Sequence, residues 1–119
     1  MPNPVVHFEI GCRDRGKTAA FYQKLFDWTM SPNEIATEIV TGPESDVTGH
    51  IVSLGHEPFH YTQFYVEVED LTGSLQKAES LGGKILIPPI PRPNGGRFAW
   101  FRDPEGNTIG LIEATKGPA

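Results

Sequence analysis

The chain repeats one pattern of residues at a spacing of 56 positions. Residues 5–28, moved forward by 56 without a gap, match the second half in class and in order. The matched pairs are His7 with Gln63, Phe8 with Phe64, Ile10 with Val66, Asp14 with Asp70, Thr18 with Ser74 and Leu25 with Leu81. A period this long that occurs only twice does not build a solenoid, so it predicts a duplicated module.

Hydrophobic spacing predicts the element order β-α-β-β-β in each half. In the first half, the strand 5–10 is followed by Asp14 as a helix N-cap, the helix 17–26, and strands at 28–30, 34–41 and 50–54. In the second half, the strand 62–68 is followed by Asp70 as N-cap, the helix 71–81, and strands at 84–87, 97–102 and 108–113. The glycines at 82 and 83 end the second helix.

Two segments of the second half read as connections between strands. Residues 88–96 hold four prolines, which cannot occupy the centre of a sheet, so we expect a stiff loop near a sheet edge. Residues 103–107, Asp-Pro-Glu-Gly-Asn, read as a tight turn between the last two strands.

The predicted fold class is α+β, with two tandem βαβββ modules that form curled mixed sheets around a cleft. We expect one domain over residues 1–119, with module 1 at about 4–55 and module 2 at about 60–114.

Composition excludes several classes of partner and location. The 10 basic and 15 acidic residues give a net charge of −5, which disfavours nucleic-acid binding. No apolar run approaches the roughly 20 residues that span a bilayer. Residues 1–7 do not resemble a signal peptide, and the only cysteine, Cys12, cannot form an internal disulfide. These features predict a cytoplasmic protein without a membrane or nucleic-acid partner.

Three segments resemble one known superfamily. They are residues 6–10 leading into 20–28, residues 64–71, and residues 98–113 with the Asp-Pro-Glu-Gly-Asn turn. Together with the doubled βαβββ order, they resemble the vicinal oxygen chelate superfamily, which contains glyoxalase I, bleomycin-resistance proteins and ring-cleaving dioxygenases. The resemblance covers nearly the whole chain.

The resemblance implies four metal-ligand positions on the first and last strands of each module. These positions fall on His7, Ser53, Gln63 and Gly110. A divalent cation usually takes three or four protein ligands and a charged group among them, and this set offers one imidazole, one amide and no carboxylate. We therefore expect no metal ion and no other cofactor. Without a carboxylate at Gly110, the lactoylglutathione lyase reaction of glyoxalase I is also disfavoured.

The remaining side chains on the strand face of His7 and Gln63 are the candidates for binding a ligand. Strand alternation puts Glu9 on the face of His7, and Tyr61 and Tyr65 on the face of Gln63. The strand 97–102 contributes to this face either Phe98 and Trp100 or the alternating residues Arg97, Ala99 and Phe101, and the sequence does not decide between them. The predicted ligand-binding residues are Glu9, Ser53, Tyr65, Phe98, Trp100 and Gly110, with His7 and Gln63 as candidate catalytic residues. His50, His56 and His60 read as surface or loop histidines.

Three functions fit these features. The first is a small-molecule-binding protein of the bleomycin-resistance type that holds its ligand without changing it. The second is a divergent lyase or isomerase that uses His7 as acid and base, because histidine titrates near neutral pH. The third is an interaction module whose cleft its own side chains fill. Unpaired strand edges and many aromatic residues also predict a homodimer.

Overall fold

The computed structural model describes residues 2–93 and 95–114. The elements in chain order are β1 Val5–Gly11, α1 Arg15–Phe26, β2 Thr29–Pro32, β3 Thr37–Val40, β4 Thr48–Val52, β5 Tyr61–Val68, α2 Leu71–Ser80, β6 Lys84–Pro91, β7 Arg97–Arg102 and β8 Thr108–Glu113. This order is β-α-β-β-β twice, which confirms the predicted α+β duplication. The chain divides into two compact units, residues 6–64 and residues 65–114 with 2–5.

The first unit, residues 6–64, holds a mixed sheet with strands in the order β2-β3-β4-β1. β1 and β4 are parallel, whereas β3 pairs antiparallel with both β2 and β4. α1 begins after Asp14, whose carboxylate accepts a hydrogen bond of 3.0 Å from the Lys17 amide. The core on this side of the sheet contains Ala19 of α1 and the strand residues Phe8, Ile10, Ile39 and Ile51. Because strand side chains alternate, His7, Glu9 and His50 lie on the face away from this core.

The second unit holds a mixed sheet with strands in the order β5-β8-β7-β6. β5 and β8 are parallel, and β7 pairs antiparallel with both β8 and β6. The core contains Leu71 and Leu75 of α2 together with Val66, Val68, Ala99, Phe101 and Leu111. Since Ala99 and Phe101 pack on this core, Phe98 and Trp100 lie on the opposite face of β7. This result resolves the orientation that the sequence left open for the strand 97–102.

The proline-rich segment departs from the sequence-based prediction. The expected loop over 88–96 is wrong for its first half, because β6 extends through Pro88 and Pro89 to Pro91. The prolines are accommodated because β6 is the terminal strand in the order of its unit, and its pairing with β7 shifts register between Ile85 and Ile90. An edge strand with bulges does not need a backbone donor at every position.

In the first unit, β3 and β4 differ most from their predicted bounds, and β2 runs over Thr29–Pro32 where residues 28–30 were predicted. β3 is shorter than predicted, because the Asn33 side chain accepts hydrogen bonds from the amides of Ile35 (2.8 Å) and Ala36 (2.9 Å) and forms a turn there. β4 begins at Thr48 and ends at Val52, two residues earlier than predicted at each end. Ser53 consequently lies outside the strand.

The predicted turn at residues 103–107 is confirmed. Asp103 accepts hydrogen bonds from the Asn107 side chain (2.8 Å) and from the amides of Asn107 (2.9 Å) and Glu105 (3.0 Å). The Asn107 side-chain bond is the main reason that the pKa of Asp103 is lowered, with the backbone bonds adding to it. Gly106 has a φ of 91°, which glycine adopts without strain.

The helices of the described chain are too short or too polar to cross a lipid bilayer.

Candidate functional site

A continuous chain of polar contacts joins β1, β4 and the start of β5 in the first unit. The parallel register sets His7 opposite Thr48 and Glu9 opposite His50. Thr48 Oγ1 lies 2.8 Å from His7 Nδ1, His7 Nε2 lies 2.6 Å from His50 Nδ1, and His50 Nε2 lies 3.1 Å from Glu9 Oε1. The Tyr61 hydroxyl donates to the second oxygen, Glu9 Oε2. We call these five residues the polar network.

A glycine allows Tyr61 to reach Glu9. Gly11 is two residues after Glu9 on β1, and a Cβ at this position would lie 2.1 Å from the Tyr61 ring. No residue with a side chain fits there unless the ring moves. Because Gly11 lacks a side chain, the Tyr61 ring lies directly against the β1 backbone.

The buried carboxylate determines which atoms of the network donate. Glu9 is 3% exposed, and in the ionised form its carboxylate can only accept hydrogen bonds, which fixes the tautomers of both histidines. His50 therefore donates through Nε2–H, and its Nδ1 accepts from His7 Nε2–H. The remaining nitrogen, His7 Nδ1, then accepts from the Thr48 hydroxyl. With both imidazoles neutral, all four ring nitrogens have a hydrogen-bond partner.

The same contacts can hold one additional proton. If His50 is doubly protonated, its Nδ1–H donates to His7 Nε2, and His7 Nδ1–H donates to the Thr48 oxygen. The additional proton then lies on the imidazole that contacts the Glu9 carboxylate. The network can thus move a proton between the exposed residue Thr48 and the half-buried His50 without breaking a contact.

A second cluster of predicted site residues lies in the other unit, on β5, β7 and β8. Trp100 Nε1–H donates a buried hydrogen bond of 2.8 Å to the Tyr65 hydroxyl. Gly110 is opposite both Tyr65 and Trp100 in the strand register, and a Cβ on it would lie 2.4 Å from the Tyr65 ring. The Tyr65 ring therefore occupies the space that a side chain at position 110 would need. Phe98 is half-buried on the same face of β7 as Trp100.

Gln63 is buried on β5, and its amide is unsatisfied. The residue is 6% exposed, and its Nε2 group has no hydrogen-bond partner within the described part of the chain. It lies two residues after Tyr61 on the same face of the strand.

The strand register identifies the residue of the first unit that corresponds to Gly110, and it is His50 instead of the predicted Ser53. Glu9 pairs with His50 in β1 and β4, and Tyr65 pairs with Gly110 in the equivalent strands β5 and β8. Glu9 follows His7 by two residues, as Tyr65 follows Gln63, so Glu9 and Tyr65 occupy equivalent positions. Their register partners, His50 and Gly110, are therefore also equivalent. Ser53 lies beyond β4, where its hydroxyl donates to the Arg13 carbonyl at 3.2 Å.

Glu113, at the end of β8, is paired with an arginine. Arg97 donates to its two oxygens at 3.1 and 2.8 Å. This hydrogen-bonded pair is the main reason that the pKa of Arg97 is raised. Glu113 follows Gly110 by three residues, so it lies on the opposite face of β8 and does not replace a carboxylate at position 110.

The residues at the implied metal positions fit a metal ion poorly. The imidazole nitrogens of His7 and His50 already contact each other, Thr48 and Glu9, and position 110 has no side chain. No group of three or more His, Cys, Asp or Glu residues suited to a metal ion occurs within residues 2–93 and 95–114. A catalytic metal normally has three protein ligands, and a carboxylate or thiolate among them usually balances part of its charge.

Sequence comparison now places the chain in a family. Residues 5–111 match the model of the Glyoxalase/Bleomycin resistance protein/Dioxygenase superfamily. The chain belongs to this superfamily, as the resemblance of its motifs predicted.

Two curated relatives share 28% identity with the chain. One is a glyoxylase-like domain-containing protein of Didymella fabae, aligned over 84% of this chain and 85% of its own length. The other, named "Putative glyoxylase CFP32", is from Mycobacterium tuberculosis and is aligned over 79% of this chain. The chain spans only 38% of the length of this mycobacterial relative.

Solved structures with low sequence identity share the fold. The crystal structure of methylmalonyl-CoA epimerase from Mycobacterium tuberculosis has a TM-score of 0.73 at 15% identity, over 94% of this chain and 88% of that one. A hypothetical protein of Bacillus halodurans C-125 has a TM-score of 0.73 at 12% identity, over 100% of this chain and 99% of that one. At these identities the likeness establishes the architecture.

Sequence reasoning identified part of the polar network. It named His7, Glu9 and Tyr61, whereas it read His50 as a surface or loop histidine. That interpretation of His50 is wrong, because His50 lies within β4 and contacts both His7 and Glu9. The available signal was the parallel pairing of the first and last strands of a module, which brings a β4 histidine beside β1.

Proposed function

We propose that the chain binds a small molecule through its own polar and aromatic side chains, without a resident metal ion. The observation that carries this proposal is the Tyr65 ring against Gly110, because it fills the position where the metal-binding members of the superfamily carry a ligand. The occupied ring nitrogens of His7 and His50 support the same conclusion. The implied metal site would then be degenerate, and the fold would serve as a container for a ligand.

A thermal-shift screen tests this function. Metal-free protein, prepared by dialysis against a chelator, is heated with small aromatic ketones, alcohols and carboxylates, each at several concentrations. A ligand that binds only the folded state raises the melting temperature by mass action, by an amount that grows with its concentration. We expect at least one compound class to do so in the presence of the chelator. A shift that appears only after a divalent cation is added contradicts the proposal.

Proton transfer by a divergent lyase or isomerase is the second candidate function. The observation that favours it is the polar network, which can accept a proton and place the charge beside Glu9. Such an arrangement suits general acid–base chemistry at a carbon next to a carbonyl group. His7 would take part as acid and base, and Glu9 and His50 would orient it.

Deuterium exchange separates this second function from binding alone. In D₂O, an enzyme of this kind accelerates exchange of the methyl protons of acetophenone, and His7→Ala removes the acceleration. His56→Ala, which changes an exposed loop histidine, is the matched control and is expected to exchange at the wild-type rate. Exchange that is no faster with the protein than with buffer leaves binding as the function.

The homodimer stays a prediction. The side chains that support it are apolar and exposed on α1, namely Phe21 (59% exposed), Leu25 (58%) and Phe26 (50%). Apolar residues clustered in this way are typical of protein contact surfaces.

A further inference from the structure

We propose that the Gln63 side-chain amide is the hydrogen-bond donor that receives the ligand, and that the ligand presents an uncharged carbonyl oxygen to it. This inference rests on the proposed binding function and specifies its chemistry. Gln63 is 6% exposed and its Nε2 group has no partner within the described residues. A buried amide without a partner loses its hydrogen bonds to water on folding and gains none in return.

The unsatisfied group is a donor, which determines what it can bind. An N–H group pairs with an oxygen or nitrogen that has a free lone pair, so an aliphatic ligand surface would leave it unsatisfied. Tyr61, two residues earlier on the same strand face, donates its own hydroxyl proton to Glu9. On this face of β5, the Tyr61 hydroxyl already has an acceptor, whereas the Gln63 amide is available to a ligand.

Charge on the neighbouring residues favours a neutral ligand. Glu9 is a buried carboxylate, and Tyr61 connects it to the strand that carries Gln63. A ligand carboxylate at Gln63 would bring a second negative charge to a buried part of the unit that already holds the Glu9 carboxylate, which is unfavourable. The net charge of −5 on the whole chain also disfavours the approach of a negatively charged ligand.

A carbonyl group fits this environment better than a hydroxyl group does. A hydroxyl brings a proton that needs an acceptor of its own. The ring nitrogens of His7 and His50 are paired with each other and with Thr48 and Glu9, so they offer no acceptor for this proton. The Glu9 oxygens keep further lone pairs, but each already holds one donor, from Tyr61 or from His50. A ketone, aldehyde, ester or amide oxygen accepts from Gln63 and adds no proton to the site.

Replacement of Gln63 by Met tests the inference in the protein without ligand. Met is similar in length and apolar, so Gln63→Met removes the unsatisfied group and keeps the packing. We expect the melting temperature to rise by about 4 °C. Gln76→Met, the same change at an exposed position on α2, is the control and should leave the melting temperature unchanged. A melting temperature that falls in Gln63→Met shows that the amide was already satisfied and overturns the inference.

Binding of three probes with a common ring provides the second readout. Acetophenone carries a carbonyl, 1-phenylethanol a hydroxyl and benzoate a carboxylate. We expect acetophenone to bind the wild-type protein most tightly, and Gln63→Met to weaken this binding about tenfold, with Gln76→Met unaffected. Preference for benzoate or 1-phenylethanol, or acetophenone binding that survives Gln63→Met, overturns the role of Gln63 and leaves the binding function standing. Failure of all three probes to bind contradicts both.

Discussion

Replacing Glu9 with Ala is expected to lower the free energy of unfolding by about 3 kcal/mol. Glu9 is 3% exposed and accepts from both Tyr61 and His50, so its removal leaves two donors without their acceptor and opens a small cavity. His50 then also loses the contact that sets its tautomer. The effect is measured by urea denaturation at neutral pH.

Glu38→Ala is the matched control for Glu9→Ala. Glu38 is an exposed carboxylate on β3, opposite His50 in the strand register, and its loss is expected to cost no more than about 0.5 kcal/mol. If Glu9→Ala is as mild as Glu38→Ala, the carboxylate does not hold the polar network together.

Replacing Gly110 with Ala is expected to lower the free energy of unfolding by about 2 kcal/mol. The added Cβ would lie 2.4 Å from the Tyr65 ring, so the ring must move, and its hydrogen bond from Trp100 is disturbed. Gly42→Ala is the control, because a Cβ there meets no atom within 4 Å. Both variants are compared by urea denaturation.

A double-mutant cycle shows whether Tyr65 is the cause of the cost at position 110. In the Tyr65→Ala background the ring is absent, and Gly110→Ala should then cost less than about 0.5 kcal/mol. An unchanged cost in that background means that the backbone of β8, and not the Tyr65 ring, requires glycine.

The duplicated fold was predictable because it depends on short-range patterns. Alternation of apolar residues identified most of the strands, and Asp14 and Asp70 marked both helix starts at caps that the structure confirms. The proline-rich strand β6 was missed since proline usually excludes a strand, and the exception depends on an edge position that only the complete sheet defines.

The polar network was only partly predictable because it depends on pairing between distant strands. Glu9 and His50 are 41 residues apart, whereas Tyr65 and Gly110 are 45 residues apart in the equivalent strands. A shift of 57 positions at the end of the first half matches Ser53 with Gly110. Because the connections differ in length between the halves, the strand register instead makes His50 the counterpart of Gly110. Alternation placed Tyr61 on the correct strand face, but it could not show that Gly11 lets the ring reach Glu9.

The central claim is that this chain binds its ligand without a metal ion, and elemental analysis tests it most directly. The protein is purified without chelator or metal additives and its nickel, zinc, iron, cobalt and manganese are measured per chain, beside the His7→Ala variant. We predict well below one ion per chain in both proteins, because His7 and His50 bind each other and Gly110 supplies no ligand. Close to one ion per chain in the wild-type protein, lost in His7→Ala, would contradict the claim.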